Sequence, residues 1–218
     1  PGVILSPPAR QSPGGMKGIQ SMADSLFEDI LGMLGQKGID NVAKETGSDR
    51  KKAEAATGAA VGALLEGLAN NAKYQSAAEE MLERLRRDHA NFDPGQIEVE
   101  TRRMSPEQTS EILRHIFGGK QAKVERQLGN ASGVGQDGMA KILKGLAPIV
   151  LGMLAKRGGE RNVQSGPDLS RWLGQQKEDM QKKPEIGILG SLLDQDHDGD
   201  VDIGDMAGVL GKMLGGAK

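Results

Sequence analysis

Apolar residues recur along this chain at helical spacing. Over 22–34, Leu26, Ile30, Leu31, Met33 and Leu34 share one side while acids take the other, the pattern of an amphipathic helix. A second short helix is predicted over 39–46, closed by Gly47. Ser48 then stands where a cap is needed for a third helix, whose narrow stripe of Ala53, Ala56, Ala60, Ala63 and Leu64 suits close helix contact. The glycines at 58 and 62 predict a break in it before it runs on through Leu68. The stretch 76–89 is strongly helical, with Ala77, Met81, Leu82 and Leu85 directed inward. Its polar side sets Glu80 against Arg84 and Glu83 against Arg87 in the acid-first i,i+4 order that supports a helix, and reads as a solvated face.

The pattern loosens over 90–104, with a turn at Asp93-Pro94-Gly95 and a brief alternation at Ile97 and Val99, as in a linker. Ser105-Pro106-Glu107-Gln108 restarts the helical pattern: a capping serine, proline in the first helical position and a glutamine that can reach back to the cap. From there the second half echoes the first. Setting 30–47 over 112–129 pairs Ile30 with Ile112, Leu31 with Leu113, Val42 with Val124 and Gly47 with Gly129. Gly67 and Gly152 come into register once about three residues are inserted in the second copy. The second copy continues through 139–145, a bend at Pro148, 149–156, a loop over 158–166 and a short helix over 168–177 carrying Trp172. The expected organisation is a disordered or non-native tail over 1–21, helical units over 22–89 and 105–182 joined by the linker, and a distinct segment over 183–218.

Composition narrows the function classes. The 28 Lys and Arg nearly balance the 30 Asp and Glu, so there is no basic footprint for nucleic acid. With 3 Phe, 1 Tyr and 1 Trp, platforms for stacking bases or sugars are not expected either. The absence of cysteine excludes disulfides, thiolate zinc sites and a cysteine nucleophile. No apolar run approaches the roughly 18 residues of a membrane span, and the start lacks the pattern of a secretory signal, so a cytoplasmic protein is the default expectation. No small-molecule substrate is evident. The expected partner is another protein, or a second copy of the chain.

Three strings, Ile112-Leu-Arg-His-Ile-Phe-Gly-Gly119, Leu146-Ala-Pro-Ile-Val-Leu-Gly152 and Leu189-Gly-Ser-Leu-Leu-Asp-Gln-Asp-His-Asp-Gly199, resemble a bacterial family known as domain of unknown function 937, or YidB-like. The resemblance implies an all-helical, repeat-containing bacterial protein with no assigned activity. It supplies no catalytic residue to carry over.

Sharp chemistry is confined to one segment, Asp194-Gln-Asp-His-Asp-Gly-Asp-Val-Asp-Ile-Gly-Asp205. Aspartates occupy positions one, three, five, seven, nine and twelve of a calcium loop, with Gly199 at six to let the chain turn round the ion. In such a loop Asp194, Asp196 and Asp198 give carboxylate oxygens, Asp200 its backbone carbonyl, Asp202 a direct or water-mediated contact, and Asp205 closes the sphere. Six aspartates in so short a stretch repel one another, and capping a turn needs only one or two. A cation is the physical reason to keep them together. His197 is a poor ligand for calcium, and magnesium competes because the closing residue is the short Asp. The loop also resembles half of a dockerin, whose loops end in Asp. Only one such loop is found, which fits a staple or low-affinity sensor better than a paired switch. Behind it, Met206, Val209, Leu210 and Met213 form an apolar face over 203–214.

Other candidates have blander readings. His115, beside Ile116 and Phe117, reads as a partly buried structural histidine, and His89 as a cation suiting a helix end. The glycines from Gly129 to Gly138 lack the Gly-Lys-Ser/Thr ending and preceding strand of a phosphate loop, and no strand precedes Gly118-Gly119-Lys120. The expectation is therefore an all-α protein: two related multi-helix units packed as a bundle, plus a C-terminal helix–calcium loop–helix. Its expected role is non-enzymatic, with Ca2+ (or Mg2+) ordering an interaction helix. The alternative is a structural or self-assembling scaffold in which the loop is only a clasp.

Overall fold

Residues 25–102 and 104–181 are described by the computed structural model, and among them all regular structure is helical. The α-helices are α1 (Leu26–Thr46), α2 (Arg50–Ala72), α3 (Gln75–Asp88), α4 (Ile97–Arg102), α5 (Pro106–Phe117), α6 (Gln121–Ser132), α7 (Gly135–Glu160) and α8 (Gly166–Gln181). Short 3-10 turns at Pro94–Gln96 and Gly118–Lys120 lead into α4 and α6.

Local signals explain most of the boundaries. Ser25 caps α1, accepting from the Glu28 amide. The helix is broken at Gly35, whose φ of 53° and ψ of −162° leave the helical region, so the two predicted helices are the two limbs of α1. Gly47 ends it in the left-handed conformation, as predicted. The cap of α2 is Asp49 rather than Ser48. The Asp49 carboxylate accepts from the Lys52 amide at 3.0 Å, while the Ser48 hydroxyl lies 2.8 Å from that of Thr46. Ser105 and Gln108 form the full capping box at α5.

The predicted break in α2 is absent, and α7 stays helical at its predicted bend. α2 runs unbroken past Gly58 and Gly62, and α7 runs through Pro148. In both cases burial outweighs local propensity. Ala56, Ala60, Val61, Ala63 and Leu64 are fully buried on either side of Gly62, and Leu143, Ala147, Val150 and Leu154 are fully buried around Pro148. Ile97 and Val99, expected in a linker, belong to the short helix α4. Gly129 lies inside α6, and the left-handed glycine that closes this helix is Gly133.

Helices α2 and α7 lie against each other at the centre. α1 flanks both, α6 flanks both from another side, and α3 lies along α8. A single apolar cluster runs through α1, α2, α3, α5, α6, α7 and α8. Close approach is made possible by glycine: a β-carbon on Gly152 would collide with the Phe92 ring, and one on Gly129 with the Gly135 carbonyl.

Polar contacts pin the seams. Arg157 of α7 pairs with Asp29 of α1 at 2.6 Å, and Lys177 of α8 stands 3.3 Å from Glu66 of α2 in a mostly buried setting. The Gln176 side chain accepts from the Leu26 amide at 2.6 Å, and Arg86 donates to the Val163 and Gln164 carbonyls before α8. The most apolar 18-residue stretch of α7 has a mean hydropathy of 1.5, so by length and composition this helix could cross a membrane, contrary to the expectation that no such run exists. In this fold 72% of that stretch is buried against protein.

Candidate functional site

The predicted ion ligands Asp194, Asp196, Asp198, Asp200, Asp202 and Asp205 lie outside the described residues, as does the apolar face at 203–214. Among the described residues no group of three or more His, Asp or Glu side chains is arranged to hold a metal.

What the described residues do form is a groove of about 360 Å³ between α3 and α5. Its walls follow from the amphipathic patterns of these two helices, which set Ala77 and Met81 of α3 opposite Ile112 of α5. These three side chains are half-buried, so apolar surface is open to solvent along the groove. The floor is closed by Leu68, Leu85, Ile116 and Leu151, all buried. Met104 stands at the start of α5, beside the capping box that fixes where that helix begins. Asn71 holds the other end, donating to the carbonyls of His115 and Ile116 at 2.9 and 3.2 Å. Those carbonyls belong to the last turn of α5, which has no further turn to satisfy them. The wall is thus fixed at both ends.

The rim is charged and internally matched. Arg84 donates to Glu80 at 2.6 Å, the i,i+4 pair predicted from the pattern. The second predicted pair is replaced, because Arg87 grips its neighbour Asp88 through two hydrogen bonds of 2.8 and 3.0 Å. The Arg87 guanidinium holds the Asp88 carboxyl below the usual carboxylate range. Glu111 and His115 complete the rim on α5, with the His115 Nδ1 3.2 Å from the Glu111 carbonyl oxygen one turn back.

Both histidines among the described residues, His89 and His115, reach this groove, which sequence reasoning missed. His115 is exposed at the rim rather than partly buried. The residue behind it, Ile116, takes the inward position. His89 does terminate α3, its amide bonded to the Leu85 carbonyl at 3.0 Å, and it lines the same groove. The signal was present in the two helical patterns, but their being neighbours is a tertiary fact. Apolar floor and matched rim are suited to receiving apolar side chains.

The glycine-rich stretch after Gly129 is the α6–α7 junction: Gly133 and Gly135 both have positive φ there. Gly118-Gly119-Lys120 is the 3-10 turn joining α5 to α6.

No curated protein and no solved structure matches the chain. A family model described as bacterial protein of unknown function (DUF937) matches residues 28–157, from the first turn of α1 to the last turn of α7 and more than half of the chain, and the chain belongs to that family.

Proposed function

We propose that this is a non-enzymatic, calcium-binding helical protein in which the ion orders a C-terminal interaction helix. The observation that carries the reading is the filled ligand pattern at Asp194, Asp196, Asp198, Asp200, Asp202 and Asp205, with glycine at the sixth position and an amphipathic pattern directly behind it. The segment 203–214 contains Gly204, Gly208 and Gly211, each of which disfavours a helix by about 1 kcal/mol relative to alanine. A stretch of that composition needs an external support to become helical, and a bound ion at its first turn supplies one. Asp205, in that turn, joins the coordination sphere to the helix start.

Calorimetric titration of calcium into chelator-treated protein tests this reading. A saturable heat, with a rise in melting temperature, is the expected result. No heat and no stabilisation at millimolar calcium would exclude it. Parallel titration with magnesium decides which ion the loop prefers.

A scaffold with a structural clasp is the second reading, and a specific recurrence favours it. Gly35 and Gly118, one residue out of the ungapped register, end helical stretches with similar backbone angles, φ 53°, ψ −162° and φ 56°, ψ −138°. Gly67 and Gly152 each sit where a neighbouring side chain leaves no room for a β-carbon, on the two central helices. These pairings support two related helical units, 22–89 and 105–182, as the basis of the bundle. Light scattering with and without chelator separates the two readings: an oligomer indifferent to calcium favours the scaffold.

A further inference from the structure

We propose that the α3–α5 groove is the receptor for the chain's own segment 203–214, so that the ion-ordered helix closes onto the bundle that carries it. The inference rests on the calcium reading above for its control by the ion, while the groove itself is independent of it.

Dimensions favour this occupant. The segment 203–214 has the same number of residues as α5, which has 12, and as a helix would be about 18 Å long. Met206, Val209, Leu210 and Met213 follow the i, i+3, i+4, i+7 spacing of a helix that lays one face into a groove. The receiving surface is of the same kind: Met81, Ile112 and Met104 are half-buried above a floor of buried Leu and Ile. Methionine on both sides suits a contact that must form and release, because its unbranched chain adapts to irregular gaps.

Connectivity agrees. α8 ends at Gln181, and in its last turns Lys177 is held to Glu66 and Asn70 of α2. The next residue of α2, Asn71, lines the groove and fixes the end of α5. Residues 182–218 therefore follow from a point fastened beside one end of the groove, and about twenty residues of chain can extend some 60 Å, ample for the return.

The lack of cysteine makes a direct test clean, since any pair introduced is unique. The doubly substituted full-length chain Ile112→Cys/Leu210→Cys is oxidised mildly with diamide at low protein concentration, in calcium and in chelator. The control, Lys51→Cys/Leu210→Cys, places the first thiol on the exposed opening turn of α2, about 26 Å along that helix from Leu68. The proposal expects an intramolecular disulfide forming at least about tenfold faster in the groove pair than in the control when calcium is present. Met81→Cys/Leu210→Cys reads the same contact from the opposite wall, should Ile112→Cys unfold the chain. A groove pair no faster than the control, or one yielding mainly disulfide-linked dimers, overturns the proposal, the latter by making a second copy the occupant. Calorimetry on the same proteins separates the two levels. Calcium heat without accelerated cross-linking removes the groove contact and leaves the ion reading. Acceleration that chelator does not slow keeps the contact and removes its control by calcium.

Discussion

Gly67 lies directly beneath Ile116: a β-carbon built on the glycine would stand 2.5 Å from the isoleucine Cγ2. This contact sets the distance between α2 and α5, and Ile116 in turn forms part of the groove floor. Gly67→Ala is therefore expected to lower stability by about 1–3 kcal/mol through overpacking. Gly152→Ala, which meets the Phe92 ring, should cost at least as much. Gly145→Ala on α7 is the contrast, because nothing lies within 4 Å of its β-carbon position. There the gain in helix propensity should stabilise by about 0.5–1 kcal/mol. Urea melts of the three variants check the signs.

The ion pair of Glu66 and Lys177 fastens α8 to α2 with both side chains mostly withdrawn from water. Lys177→Met leaves the Glu66 carboxylate without that cation and should cost about 3 kcal/mol. The double variant Glu66→Leu/Lys177→Met removes both charges and should recover much of the loss. A double-mutant cycle from denaturant melts measures the coupling.

Ser105 and Gln108 satisfy each other's backbone amides at the start of α5. Ser105→Ala should cost about 1 kcal/mol. Because the capping box anchors one wall of the groove, faster amide hydrogen exchange should be concentrated at the opening turn of α5.

Acid stability depends on carboxylates with depressed pKa values. Asp49 is held below its usual range first by the Lys52 amide, and Asp168 first by the Ser165 hydroxyl. A depressed folded value means that each group stabilises the fold above its unfolded value, near pH 4, and that the contribution is lost as pH falls through the folded value. The melting temperature should thus fall below about pH 4. Asp49→Asn, which keeps a capping oxygen but cannot be protonated, should shallow that acid slope. An unchanged slope would contradict the assignment.

Much of the bundle was legible from the chain because its signals are local. The capping box at Ser105, the helix-ending Gly47 and the alanine stripe of α2 each act within a turn or two, and each is found where the pattern places it. Errors fell where distant residues decide. Gly58, Gly62 and Pro148 would interrupt isolated helices, but burial of their neighbours keeps α2 and α7 whole. Gly129 looked like a helix stop by register with Gly47. It is instead an interior residue needed for close approach to Gly135, and the stop falls at Gly133. The groove was not legible, since nothing in either helix alone says that α3 and α5 stand side by side. The aspartate loop was read by the opposite route, from ligand spacing alone.

The central claim concerns that loop, and calcium calorimetry on chelator-treated protein tests it most directly, with Asp194→Ala/Asp196→Ala as the matched variant. The account predicts one saturable site per chain in the parent protein and its loss in the variant, with the helical bundle intact in both. An equal heat in the two proteins, or none in either at millimolar calcium, would contradict it.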